Sequence, residues 1–169
     1  MRSRNFALAT VVMAVTLAGC QRQSDEKLVE LAGRMFVFNY RVATANYMIV
    51  LKKVAPIPEG TFAVAEFQNP KGDDPLVLRE KIYALSDRIT LASPFVHCVR
   101  KDQPYAVSIR LVDSSDRTLQ TIKTEVTSDV DQSVLPAKPL VLGPIYTKNP
   151  EVFRPDGTAD FSPEVCPAT

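Results

Sequence analysis

The chain has 169 residues, 46% of them apolar, with 20 Lys and Arg against 19 Asp and Glu. This is enough for one domain with a self-sufficient core and requires no second one. The balanced charge, with no basic run longer than Lys52-Lys53 or Arg100-Lys101, gives no electrostatic reason to expect nucleic acid as a partner, and no basic membrane-binding helix is evident.

In chain order, Arg2 and Arg4 form a positive start, and Ala7 to Leu17 is an uncharged apolar run too short to span a bilayer. The run closes on Leu17-Ala18-Gly19-Cys20. With those residues in that place, the chain resembles a bacterial lipoprotein. The resemblance implies that the tetrapeptide is a lipobox: residues 1–19 are removed as a signal peptide, the Cys20 sulfur takes a diacylglycerol, and the new amino group is acylated. Gln21, where an Asp would mark retention in the inner membrane, implies an outer-membrane address facing the periplasm. On the residues alone, an ordinary secretory signal or a short uncut anchor fits the same segment. Two or three acyl chains hold a protein firmly where one holds it only marginally. Residues 20–34 are then the lipidated cysteine and a tether, polar from Gln21 to Lys27, with Leu28 to Leu31 readable either as the start of a strand or as one helical turn.

From Met35 the apolar period is two. Phe36, Phe38, Tyr40 and Val42 alternate with polar or opposite-facing residues, and Tyr47, Ile49 and Leu51 resume the pattern after Ala43-Thr44-Ala45-Asn46. Pro56 and Pro58 break the run before a strand over Thr61 to Phe67, and the stretch Asn69 to Pro75 reads as a turn. Leu76 to Tyr83 and Arg88 to Ala92 predict two more strands. Tyr105, Val107, Ile109 and Leu111 give the cleanest alternation, which Asp113-Ser114-Ser115-Asp116 turns back into Leu119 to Thr127 as a hairpin. No helix of useful length has support from the period. The expected fold is therefore all-β, a single antiparallel sandwich of about seven strands over residues 35–128, with a small barrel as the alternative.

The segment from Pro104 to Leu111 resembles the sixth strand of fibronectin type III and other immunoglobulin-like modules. This implies that Tyr105 bonds back to the corner preceding its strand. The chain has no Trp and no cysteine pair on the strands that carry the immunoglobulin disulfide, so strand pattern alone supports the likeness. Residues 129–169 form a Pro-rich C-terminal extension, expected to wrap the sandwich in its first part and fray at its end, or to present an extended partner-binding segment.

An oxidising compartment makes Cys98 and Cys166 a candidate disulfide closing a loop of about 68 residues, the alternative being a buried free Cys98 and an unrelated Cys166. The single histidine, His97, excludes a multi-imidazole zinc site, and its neighbour Cys98 would point to the other face of a strand. No phosphate-binding glycine motif is present. The acid pairs at turns, Asp73 and Asp74, Asp113 and Asp116, Asp129 and Asp131, read as turn formers rather than calcium ligands. No catalytic, metal or cofactor site is expected. The leading expectation is a non-enzymatic envelope lipoprotein acting as an interaction or accessory module, bound to a membrane through Cys20 and to an envelope protein partner. A periplasmic small-molecule or glycan binder would use Phe36, Tyr40, Tyr47 or Tyr83 on an exposed sheet. An envelope hydrolase would need two carboxylates across a cleft, for which Glu66 and Glu80 are the nearest strand-borne acids.

Overall fold

The computed structural model describes residues 27–72, 74–83 and 85–167. Cys20 and the whole expected signal peptide lie outside the described residues, as does Asp73. The chain forms β1 (Val29–Asn39), β2 (Thr44–Lys53), β3 (Phe62–Phe67), β4 (Leu76–Lys81), β5 (Arg88–Ala92), β6 (Pro104–Val112) and β7 (Thr118–Thr127). A 3-10 turn over Gln132–Val134 and the two-residue strands β8 (Val141–Leu142) and β9 (Thr147–Lys148) follow. No α-helix occurs among the described residues, and none of their helices is long and apolar enough to cross a membrane. The fold is all-β, and every pair of named strands is antiparallel.

Two sheets enclose one core. The first has the order β1-β2-β5 and the second β4-β3-β6-β7, while β8 and β9 make a separate hairpin. Period-two alternation turns Ala45, Tyr47, Ile49 and Leu51 of β2 inward to meet Ala63, Ala65 and Phe67 of β3 and Tyr105, Val107, Ile109 and Leu111 of β6 in a single buried cluster. Each large side chain fully buried there contributes roughly 1.5–3 kcal/mol of transfer free energy. The rings of Tyr47 and Phe67 lie 5.3 Å apart, and Tyr105 stands edge-on to Phe36 and Tyr47. Both buried phenols are satisfied: Tyr47 donates to Gln68 O at 2.7 Å, and Tyr105 Oη accepts from Arg100 N at 2.8 Å.

The predicted strands from Thr61 to Thr127 are present within one or two residues at each end, whereas the first hairpin differs. β1 begins at Val29, inside the stretch expected to be tether. Leu31 pairs with Leu51 but Gly33 pairs with Val50, leaving Ala32 as an extra residue. Inward positions are therefore odd before the bulge and even after it, and a strict period from Met35 does not extend back through Ala32. The turn also comes earlier than the Ala43-Asn46 interruption, at Tyr40–Ala43, closed by Ala43 in the left-handed region (φ 52°), so Tyr40 and Val42 belong to the turn rather than to a strand.

The antiparallel order gives the domain two poles. The chain enters at Leu28 beside the end of β2, because Leu28 O accepts from Val54 N at 3.0 Å, and the β4–β5 loop joins the same pole through Lys53 N to Asp87 O at 3.0 Å. The Gln120 side chain fastens this entry to the second sheet, accepting from Leu28 N and Val29 N and donating to Val29 O. The β1–β2 turn, the β3–β4 turn and the C-terminal extension occupy the far pole.

Candidate interaction surface

The extension is held in place along its length. Cys98 and Cys166 are joined by a disulfide with Cα atoms 5.5 Å apart, across 68 residues. Cys98 sits in the left-handed region (φ 63°), a conformation costing an L-residue roughly 1–2 kcal/mol. Beside the disulfide, Glu164 meets His97 Nδ1 at 2.7 Å and Lys71 Nζ at 3.5 Å, and Arg100 donates to Pro167 O at 2.6 Å. Farther back, Ala137 N bonds Ser162 O, and Leu135 and Val152 are buried. Asn149 donates to Pro139 O and accepts from Glu151 N, which locks the root of the β8–β9 hairpin. The fraying expected at the end is thus absent up to Pro167: cross-linking and side-chain ties replace the backbone ladder that prolines forbid.

This framework projects the β8–β9 hairpin from the far pole. Leu140 N donates to Arg41 O in the β1–β2 turn at 2.9 Å, and the Arg41 guanidinium lies 5.7 Å from the centre of the Tyr146 ring. At the hairpin tip Ile145 is 84% exposed and Tyr146 58% exposed, with Leu142 and, in the adjoining turn, Tyr40 also open to solvent. Gly143 and Tyr146 both take positive φ (68° and 54°), so the tip is a tight turn that directs apolar side chains outward. Sequence reading missed this hairpin because two-residue strands carry no period; the visible signal was Leu140-Val141-Leu142 followed by Gly143-Pro144.

The other candidate residues are placed differently. Tyr47 is fully buried and Phe36 is packed against the core, while Tyr40 and Tyr83 stand at opposite poles. The four aromatics considered for ligand stacking therefore form no common surface. Glu66 pairs with Val77 and Glu80 with Ala63, which puts the two carboxylates on opposite faces of the second sheet. Cys98 is held in a disulfide and His97 is turned to Glu164. Asp113 accepts from Ser115 N, Arg117 N and Arg117 Nε; these hydrogen bonds, led by the backbone one from Arg117, hold its carboxyl below the usual carboxylate range, as befits a turn former. No group of three His, Cys, Asp or Glu able to hold a metal occurs among the described residues. An open groove of about 830 Å³ crosses the β7 side of the second sheet, lined by Glu66, Gln68, Ser108, Lys123 and Glu125; the aromatic on its lining, Phe67, is fully buried.

No family model matches the chain, and no curated protein matches it in sequence. Among solved structures, the Pseudomonas fluorescens alkylpurine DNA glycosylase AlkC, bound to DNA containing an abasic-site analogue, is matched with a TM-score of 0.29 and 14% identity over 61% of this chain and 31% of its own. The chain spans less than a third of that enzyme's length, and a likeness this distant bears on neither fold nor activity.

Proposed function

We propose that this chain is a lipid-anchored envelope module, non-enzymatic, whose immunoglobulin-like sandwich offers its far pole to a protein partner. The lipobox resemblance at Cys20 supports the anchor. The strand order β1-β2-β5 over β4-β3-β6-β7, and the bond from Arg100 N to the Tyr105 hydroxyl at the corner before β6, support the immunoglobulin-like assignment. The separation of Glu66 from Glu80 and the oxidised state of Cys98 support a role without catalysis.

One observation carries the partner reading. A cross-linked, well-tied extension carries a hairpin whose Leu142, Ile145 and Tyr146 are held out in water. Exposing rigid apolar and aromatic side chains on a braced loop has no folding benefit and matches the anchor residues of protein interfaces. Tethering would raise the local concentration of such a surface near membrane-bound partners, so that modest intrinsic affinity suffices.

The test is photo-cross-linking in intact cells from position 146, with position 121 on the outer face of β7 as control. A discrete adduct formed from position 146, absent from position 121 and lost in Ile145→Asp, is the expected result. Equal labelling from both positions, or none, would remove the far pole as the contact.

A further inference from the structure

The pole where the chain enters carries its own unexplained apolar surface. Leu85 is fully exposed and Tyr83 is 67% exposed on the β4–β5 loop, and Val54 stands 44% exposed on the adjoining β2–β3 connection. Backbone and side-chain bonds tie Tyr83 and Asp87, on either side of Leu85, to the end of β2, and Val54 to the entering chain. Lys53 donates through its main-chain N to Asp87 O and through Nζ to Tyr83 O at 2.6 Å, while Val54 N and Ala55 N both donate to Leu28 O. Lys81 Nζ stands 5.9 Å from the centre of the Tyr83 ring. Apolar tips on two neighbouring loops are therefore presented beside the residue through which the chain arrives.

From the structure we infer that this pole is a lipid-docking surface, with Leu85, Tyr83 and Val54 entering the interfacial layer of the bilayer that holds the anchor. This rests on the proposed acylation of Cys20. Leu28 lies eight positions after Cys20, a span of at most about 28 Å when fully extended, so the entry pole is confined to the neighbourhood of the bilayer. Tyrosine and leucine suit that position, because the interface accepts an apolar body and leaves the phenol oxygen wet. The charge at this pole is mixed: Lys52, Lys81 and Arg88 share it with Glu59 and Asp87, and Lys27 is paired with Glu30. Docking is therefore driven by apolar insertion rather than by attraction to anionic lipid, and it is only weakly sensitive to salt.

The absence of Trp from the sequence supplies the probe. Leu85→Trp places one indole on the docking loop, and Ile145→Trp places one on the far pole. The acylated protein of each variant, beginning at Cys20, is reconstituted into phosphatidylethanolamine and phosphatidylglycerol vesicles and floated, and its emission is read with and without brominated lipid. Both proteins should float, with a blue shift and bromine quenching at position 85 that survive raised salt, and water-like emission at position 145. Floating protein with water-like emission at position 85 would overturn docking and leave the anchor standing. A blue shift found in native envelope membranes and not in protein-free vesicles would overturn it in favour of a protein surface. Failure of either variant to float would remove the anchor and docking together.

Discussion

The disulfide offers the sharpest test of how the C-terminal extension is integrated. Replacing both partners, Cys98→Ala with Cys166→Ala, opens a loop of 68 residues. In the chain-entropy account, closure of a loop that long restricts the unfolded chain by an amount worth about 4 kcal/mol. The remaining ties at the end of the chain are half-exposed ion pairs and single hydrogen bonds, Glu164 to His97 and Lys71 and Arg100 to Pro167 O, and exposed pairs of this kind are each worth roughly 0–1 kcal/mol. They do not replace the covalent link. With a urea dependence of about 2 kcal/mol per molar, the midpoint of unfolding should fall by about 2 M in the double variant, followed by far-ultraviolet circular dichroism. Limited proteolysis should open a new site near Arg154, where the oxidised protein resists. An unchanged midpoint together with unchanged cleavage would refute the reasoning, since it would mean that the extension folds with the sheets through its non-covalent contacts alone.

Other expectations follow from single side chains. Tyr105→Phe leaves the Arg100 amide without its acceptor and should destabilise by about 1–3 kcal/mol, read as a lower urea midpoint with no change in far-ultraviolet spectrum. Burial, reinforced by Tyr105, pushes the Tyr47 phenol well above its ordinary value of 10.0. The folded state therefore keeps a proton that the unfolded chain loses, and stability should be full below pH 10 and fall as pH rises beyond it; thermal melts across that range should show a flatter decline in Tyr47→Phe. Gln120→Ala removes three bonds to the start of β1, and faster hydrogen exchange at Leu28 and Val29, with little change deep in β6, is the expected signature.

Where side chains alternate between a buried and a wet face, the sequence discloses the strand. Arg88 to Ala92 matches β5 residue for residue, and Tyr105 to Leu111 lies wholly within β6, because one face of each meets the core. Tyr105 itself was legible, since a tyrosine at that place in such a strand has a specific bond to make. The entry half of β1 was hidden by Ala32, which breaks the period; the adjoining Gly33 was the one visible sign of a bulge. The far-pole surface was illegible for a different reason: Ile145 and Tyr146 are functional candidates by virtue of being unburied, and burial of an isolated apolar residue in a Pro-rich segment depends on distant cross-links such as Cys98 to Cys166 that no local pattern encodes.

The extra residue in β1 also determines how this chain should tolerate deletion. Removing Ala32 would restore an unbroken alternation from Leu31 through Arg34 to Phe36 and Phe38, keeping all four on the faces they already occupy. Removing Val37 instead would put Phe36 or Phe38 out of phase with Tyr47 or Ala45. A one-residue deletion scan along β1 should therefore find a permissive stretch between Leu31 and Phe36, where any single loss absorbs the extra residue, bounded on its C-terminal side by Val37, where the same loss is strongly destabilising.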